Sequence, residues 1–591
     1  MNASRLRFDL LLLLAMLGWS PTLPAHDGGP PKLASDVGGV FTYTITSDVT
    51  GEGGLSFYLA QAGYDTNVIR ILPEGTFSNV GDGVFTIRAV APGKTTVTFG
   101  WFYPPHDAAG SFTLEVEVFP PATTKPTAAN VPTSAKLLDP VNLFTGELTI
   151  NERPDLNLGG PMPLTFARYY GSGLSRAAMT QTTLSDNWSS NFDWRLLRDG
   201  NSVDVVSWDG RRIPFQKTGG IWQLTGTREI PFQIVESGTD FILGDPRDHR
   251  LYTFNTNGLL TAIADGRGNT HRLTYNGPRL VQVSDGLGRS LSFTYENFQK
   301  LATVSDGQRT IKFGYTNLFI GGFSNGSFVV FDNYFALASV TDSLTNVTRH
   351  TYDGSGTTNH FRALLLATTR PRGNVPYTQT WNSNGRVAAQ TEIGLHTHSL
   401  SYNGNTTTVT NPLGLTRIYT HAAGGQLVSY TDETGRITTI GSNPEGQRTA
   451  ITGRMGTTSG IGYHAPSGRP SAFTNVDGTV TTFGYTPRVV SGITFHDVTL
   501  VTYPDGAIER FTYDAGGNVL TRVDREGKVW RLTYNNRGQV LTVTNPLGGM
   551  VVFTYNADGT LASRADSDTP ATTFAYDSLL RMTNAIRPDG T

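Results

Sequence analysis

The chain has 591 residues, 46 Lys plus Arg against 48 Asp plus Glu, 67 glycines and no cysteine. The near-neutral balance offers no clustered basic face for polyphosphates, so nucleic-acid partners are not expected, and without cysteine there are no disulfide staples, thiolate metal sites or cysteine nucleophiles. With 38% hydrophobic and 16% charged residues the chain buries a core, and it is long enough for three or more domains.

Arg5 and Arg7 precede an apolar run from Leu10 to Leu17, followed by Trp19, Pro21 and the small Ala25. This is the make-up of a signal peptide over residues 1–25. The run is shorter than the ~20 apolar residues that span a bilayer, which leaves an uncleaved anchor as the alternative. No other segment approaches transmembrane length, so the mature chain is expected to be secreted or held at the cell surface without a stable span.

Residues 36–120 alternate apolar and polar positions in short runs such as Val40–Ile45, 84–90 and 95–99. A period of two puts one side of each strand in a core and the other in water, so a small β-sandwich is expected. The stretch 90–98, with its turn at Pro92-Gly93, resembles a hairpin of bacterial immunoglobulin-like modules. Pro120, Pro121, Thr123, Thr124, Pro126, Pro132 and Thr133 then predict an extended Pro/Thr-rich linker over residues 121–136.

From about residue 251 to 591 the sequence repeats itself. Tyr513, Tyr534, Tyr555 and Tyr576 lead successive units at intervals of 21 residues. Earlier aromatic leaders, Phe254, Tyr275, Tyr295 and Tyr315, then Trp381, Tyr402, Tyr463 and Tyr485, hold nearly the same beat; the leader is lost at His421 and Ser442, and insertions fall at about 316–351, 355–375 and 486–507. Each unit of this roughly fifteen-unit array contains a Gly-bearing turn, a strand, a second turn and a second strand. Asn, Asp and Gly close hairpins because they tolerate positive φ. A lone hairpin is marginal in water, so neighbours are expected to pair edge to edge into one long antiparallel sheet that curls on itself.

The unit Tyr513-Asp514-Ala515-Gly516-Gly517-Asn518-Val519-Leu520-Thr521-Arg522-Val523 resembles the YD repeat of Rhs and teneurin-like proteins. Upstream, residues 139–148, 163–170 and 187–195, carrying Asp139-Pro140, Arg168-Tyr169-Tyr170 and Asn187-Trp188, are similar to the entry segment that precedes YD repeats in bacterial Rhs proteins, here assigned to residues 137–250. The resemblance implies a curled or hollow β-shell that encloses a variable C-terminal polypeptide, often a toxin. The sequence stops at residues 587–591 inside a repeat, without the closing core or self-cleaving aspartate motif of full-length members, so either a truncated chain or a shell component without its own payload is expected.

Candidate chemistry is sparse. His396 and His398 share one face of a strand and could share a metal, but with no third ligand nearby in sequence a surface pair is the better reading. The Asp-Gly steps at Asp265, Asp285, Asp306, Asp477 and Asp558 lack the spaced oxygens of a calcium loop, so they are expected to be hairpin turns. Trp188, Trp194 and Trp208 are expected to pack the end of the shell. No nucleophile elbow, phosphate-binding loop or His-Glu-x-x-His motif is present, so no catalytic, cofactor-binding or metal residue is assigned and no enzyme is expected. The expected function is a secreted scaffold holding polypeptide cargo. The alternative is an adhesion or carbohydrate-binding protein contacting glycans or a neighbouring cell surface through residues such as Trp101 and Tyr103.

Overall fold

A computed structural model describes the backbone of the strands between 32 and 119, with side chains only at 95–97. It describes residues 128–587 with side chains, apart from 132, 139, 175–182, 227–228, 297–299, 354–362 and 568, and apart from the side chains of 319–334 and their hairpin tip 325–326. The expected signal peptide lies outside the described residues. Among them there is no α-helix, and the fold is all-β.

Seven N-terminal strands form two sheets. One is four-stranded and joins Lys32–Asp36, Ala108–Phe119, Gly93–Tyr103 and Ser56–Leu59; the other joins Val40–Ile45, Gly83–Ala89 and Ile69–Leu72. The C-terminal part of the segment expected as an extended linker is docked instead. Ala128–Asn130 form a 3-10 turn, Val131 is buried, and the Asn130 carboxamide oxygen accepts from the Arg212 backbone N–H at 2.9 Å. Apolar Ala128 and Val131 supply surface to bury, and this overrides the extended bias of the flanking prolines. Residues 141–224 then fold as small antiparallel sheets, ending in the four strands Arg195–Asp199, Ser202–Val206, Arg212–Thr218 and Ile221–Leu224.

From Gln233–Ser237 to Met582–Ile586, 32 described strands pair each with the next in one antiparallel sheet. Its first and last strands do not pair, so the sheet is an open wall and not a closed barrel. Many of the turns are built on an Asn or Asp whose side chain holds the loop, although others begin on Arg370, Ala422, Gly453 or Tyr503. Asp514 accepts through Oδ1 from the Asn518 N–H at 2.8 Å, Gly517 N–H bonds back to the Asp514 carbonyl at 3.1 Å, and Gly517 sits at φ +83°. The Asp-Gly steps use the same device: Asp265 Oδ1 accepts from the backbone of Arg267 and Asn269. Asn and Asp thus mimic a backbone turn while Gly takes the left-handed φ, which is why the punctuation recurs at a fixed spacing.

The leading tyrosines solve a backbone problem. At the leaders other than Tyr402 the ladder slips by one residue; Tyr513 pairs with Val519 while Thr512 pairs with Thr521, leaving a bulge. A bulge leaves a carbonyl outside the ladder that needs another donor. The hydroxyl of the following leader supplies it: Tyr295 donates to the Leu280 carbonyl at 2.8 Å, Tyr513 to Val498 at 2.6 Å and Tyr555 to Val540 at 2.9 Å. Trp381 does the same through Nε1 to Leu365. Tyr352, between the insertions expected at 316–351 and 355–375 and not among the expected leaders, is a further leader, donating to Leu337; 316–351 is mostly one elongated hairpin, Thr310–Ser324 with Ser327–Thr341. Tyr513→Phe is expected to leave the Val498 carbonyl without this donor and to destabilise the wall by about 1–2 kcal/mol, read as a lowered urea midpoint at constant far-ultraviolet dichroism. An unchanged midpoint would count against the hydroxyl's role.

The wall also winds onto itself. Gln233 pairs through its carboxamide with the backbone of Thr494, 261 residues away, at 2.7 and 3.0 Å. Asn269 Nδ2 donates to the Arg537 carbonyl at 2.9 Å, and Gln308 pairs with Ser578 at 2.8 and 3.2 Å, across 268 and 270 residues. One revolution therefore takes 23 strands, between eleven and twelve hairpins, and the second course sits turn against turn on the first.

Candidate functional site

One row of cross-strand partners crosses the whole sheet on its inner face. It runs Leu273–Val283–Leu291, Phe293–Val304–Ile311 and Phe313–Val340 in the first course, and Phe511–Arg522–Trp530, Leu532–Val543–Val551 and Phe553–Arg564 in the second. Side chains two apart on a strand share a face, so the row is fixed by period-two patterning. The opposite face carries hydroxyl pairs such as Thr294–Thr303, Thr512–Thr521 and Thr533–Thr542, each at 2.6–2.7 Å.

Residues 128–215 cover the first-course part of this row. Trp194 stacks on Tyr252 at 4.3 Å, Phe166 lies against Phe293 and Phe313 at 6.0 and 5.9 Å, Trp188 against His350 at 4.7 Å, and Phe144 against His421 at 5.5 Å. The upstream segment is a plug running along the wall. Trp188 is fully buried and its Nε1–H donates to the Tyr352 hydroxyl at 2.9 Å, so it sits well inside the first course and not at its end; Trp208 packs edge-on against Tyr169 within the plug. Several polar groups in this core are matched: Arg168 forms a two-pronged pair with Asp155, and His271 meets the Met162 carbonyl at 3.0 Å. Burial, with Arg168 nearby, pushes His350 down to about 3, so it is neutral, and burial raises Asp193 to about 6 against the hydrogen bonds it accepts from Ser190 and Thr183.

Cover thins past Ile440. In the same row Leu400, Val409, Tyr419 and Ile440 are buried; beyond them Ile451 is 38% and Phe473 40% exposed, Val501 and its partner Glu509 are buried again, and Trp530, Leu532, Val543, Phe553 and Phe574 are half-buried. Equivalent strand positions show the contrast. Leu291 and Phe293 are buried where Trp530 and Leu532 are not, although both strands read apolar-polar-apolar. Arg522, paired with the buried Glu509 at 3.0 Å, and Arg564 add charge to the open stretch. A half-exposed face with this many Trp, Leu, Val and Phe, interrupted by Arg522 and Arg564, marks a contact surface more often than a solvated one.

His396 and His398 lie on His396–Asn403, four and two residues before Leu400 and so on the same face as the inner row, opposite Glu392 and Gln390; no group of three or more His, Cys, Asp or Glu gathers among the described residues. Trp101 and Tyr103 fall in Gly93–Tyr103, where their side chains lie outside the described residues. No described helix is long and apolar enough to cross a membrane.

Comparison with known proteins fits this architecture. The RHS Repeat family matches residues 513–550, and a domain of unknown function, DUF6531, matches residues 138–215, the plug. A probable deoxyribonuclease RhsA of Dickeya dadantii (strain 3937) is 27% identical over 194 residues, 31% of this chain and 13% of the relative. Together these matches support an Rhs/YD-repeat protein. A double-stranded DNA deaminase toxin A of Burkholderia cenocepacia (strain H111) is 32% identical over 90 residues, 15% of this chain and 6% of the relative. The chain thus matches only a small part of the length of either curated relative. Among solved structures, a TcdB2-TccC3-Cdc42 crystal structure (11% identity, 71% of this chain, 27% of that chain, TM-score 0.39) and a Photorhabdus luminescens Tc holotoxin pore (11%, 74%, 27%, 0.40) are similar.

Proposed function

We propose that this Rhs-repeat chain is an exported, non-catalytic scaffold whose spiral wall encloses or presents a polypeptide on the bare inner face of its second course. The observation that carries the reading is the change in cover along one row, from the buried Leu291 and Phe293 of the first course to the half-exposed Trp530 and Leu532 at equivalent strand positions of the second. Each half-exposed Trp, Leu or Phe there gains about 1–2 kcal/mol when an extended chain covers it, and the row's length favours an occupant that is itself long and apolar in places. The nuclease and deaminase names of the relatives are consistent with such cargo carrying the chemistry while the wall carries none. Export rests on the residue pattern of 1–25.

A photo-crosslinking amino acid placed at Leu532, on the inner row, is expected to capture a carboxymethylated, permanently unfolded polypeptide. The same group at Thr533, on the opposite face, is expected to capture none. Equal capture at both positions, or none at Leu532, refutes the reading.

A further inference from the structure

The seam between the two courses holds one titratable group in a position that only its neutral form can occupy. His249 lies in the turn after Asp240–Asp245 at φ +58°, and its ring projects from the first course into the second. Its Nε2 accepts from Arg469 Nη2 at 2.8 Å, while Nδ1 faces Arg488 Nη2 at 3.4 Å and Asp497 at 3.6 Å. The ring rests on Phe495 at 4.9 Å. Arg469 also donates to the carbonyls of Pro246 and Arg247 at 3.1 and 3.3 Å, so one guanidinium ties the turn of the first course to the strand Arg469–Thr474 of the second.

We propose that this seam is an acid-operated latch: a proton on His249 Nε2 displaces Arg469 and frees the hairpin Val480–Thr502 from the first course. A guanidinium has only donors, and a protonated imidazole has only donors, so the 2.8 Å contact cannot survive protonation. The new charge is compensated only in part. Asp497 lies 3.6 Å from Nδ1 but is already bound by Arg488 at 2.6 Å, while Arg469 and Arg488 face the ring directly and Arg267 approaches from the neighbouring turn. On His249's own turn Asp245 is held by Arg247 at 2.6 Å and Asp248 by Arg250 at 3.0 Å. His496, beside Asp497 and 5.0 Å from His464, adds charge of the same sign when it titrates. The rest of the seam near the latch, Gln233 on Thr494 and Ile493 over Gly244, is uncharged and has no response to pH of its own.

Burial and the flanking Arg469 push His249 from its ordinary 6.5 down to about 4. The parted state regains the ordinary value, so the seam is at full strength above about pH 6.5, weakens as pH falls from 6.5 toward 4, and changes no further below that. Between pH 7.5 and 4.5 this linkage shifts the ratio of open to closed seam by about 80-fold.

Hydrogen exchange reads this ratio even when the open state is rare. The Thr494 amide, which donates to Gln233 Oε1 across the seam, is the reporter. Its protection, corrected for the intrinsic rate, is expected to fall about 80-fold between pH 7.5 and 4.5, while first-course amides such as Phe293 hold theirs. His249→Gln, which offers Arg469 an acceptor that cannot protonate, is expected to remove the fall. A change of less than about threefold in the natural chain, or an equal fall in His249→Gln, overturns the latch. If His249→Gln does not fold, the chain with both His464→Gln and His496→Gln decides: an undiminished fall supports His249, and its loss refutes the assignment.

Discussion

Trp188→Ala is expected to cost about 3–5 kcal/mol, the largest loss of any single truncation in the plug. The indole is fully enclosed, lying 5.2 Å from Tyr170 and 4.7 Å from His350 with Arg168 over its face at 5.5 Å. Truncation leaves a cavity among rigid neighbours and removes the donor to the Tyr352 hydroxyl, which itself donates to the bulge carbonyl of Leu337 at 2.5 Å. Plug and wall are joined at this point, so the urea transition should move to lower denaturant with both lost together. Trp188→Phe, keeping most of the volume but not the N–H, should cost less than half as much. A shift under 1 kcal/mol for the alanine variant would show that the plug does not hold the first course.

Gly268→Ala is expected to unseat the second course while sparing the first. Gly268 has φ +104°, and a Cβ there would fall 2.1 Å from the Asn536 carbonyl oxygen, a backbone atom of the stacked turn. Strain and collision together should cost about 2–5 kcal/mol. Gly286 is the matched control, with φ +70° and open space around it, so Gly286→Ala carries the conformational cost alone, about 1–2 kcal/mol. Protease cleavage confined to residues beyond about 500 in Gly268→Ala, with far-ultraviolet dichroism nearly unchanged, is the expected pattern. Equal behaviour of the two variants would mean that the courses do not bear on each other there.

The sequence made the wall legible because its determinants are local. Asn or Asp at the start of a turn, Gly at its end and an aromatic leader all act within one or two hairpins, so they recur at the 21-residue beat. The burial of Trp188 and Trp194 was legible from size and apolarity, but their partners Tyr352 and Tyr252 were not, since nothing near them in sequence marks which strand they meet. The seam was harder still. Its contacts join residues some 250–270 positions apart, through common side chains such as Gln233, Asn269 and Gln308, and His249 carries no local sign of its two arginines. No local signal marks the contact: Gly268, where the Asn536 carbonyl approaches, is the ordinary turn glycine, and the like-patterned turn Asp285-Gly286-Leu287-Gly288 has open space at both its glycines. The bare inner row could not be seen either, because Trp530 and Leu532 read the same as their covered counterparts; exposure depends on how far the plug reaches.

The stacking of courses makes the chain unequally tolerant of changes in unit number. Deleting or duplicating one hairpin pair between Asn269 and Arg537 would offset every subsequent docking partner by a whole unit, so that Gln308 would meet a different turn from the one bearing Ser578. Units gained beyond the docked turns would face no such mismatch. Recombination among near-identical repeats should therefore be purged from the interior and permitted toward the distal side, which gives an otherwise monotonous array a direction in which it can evolve.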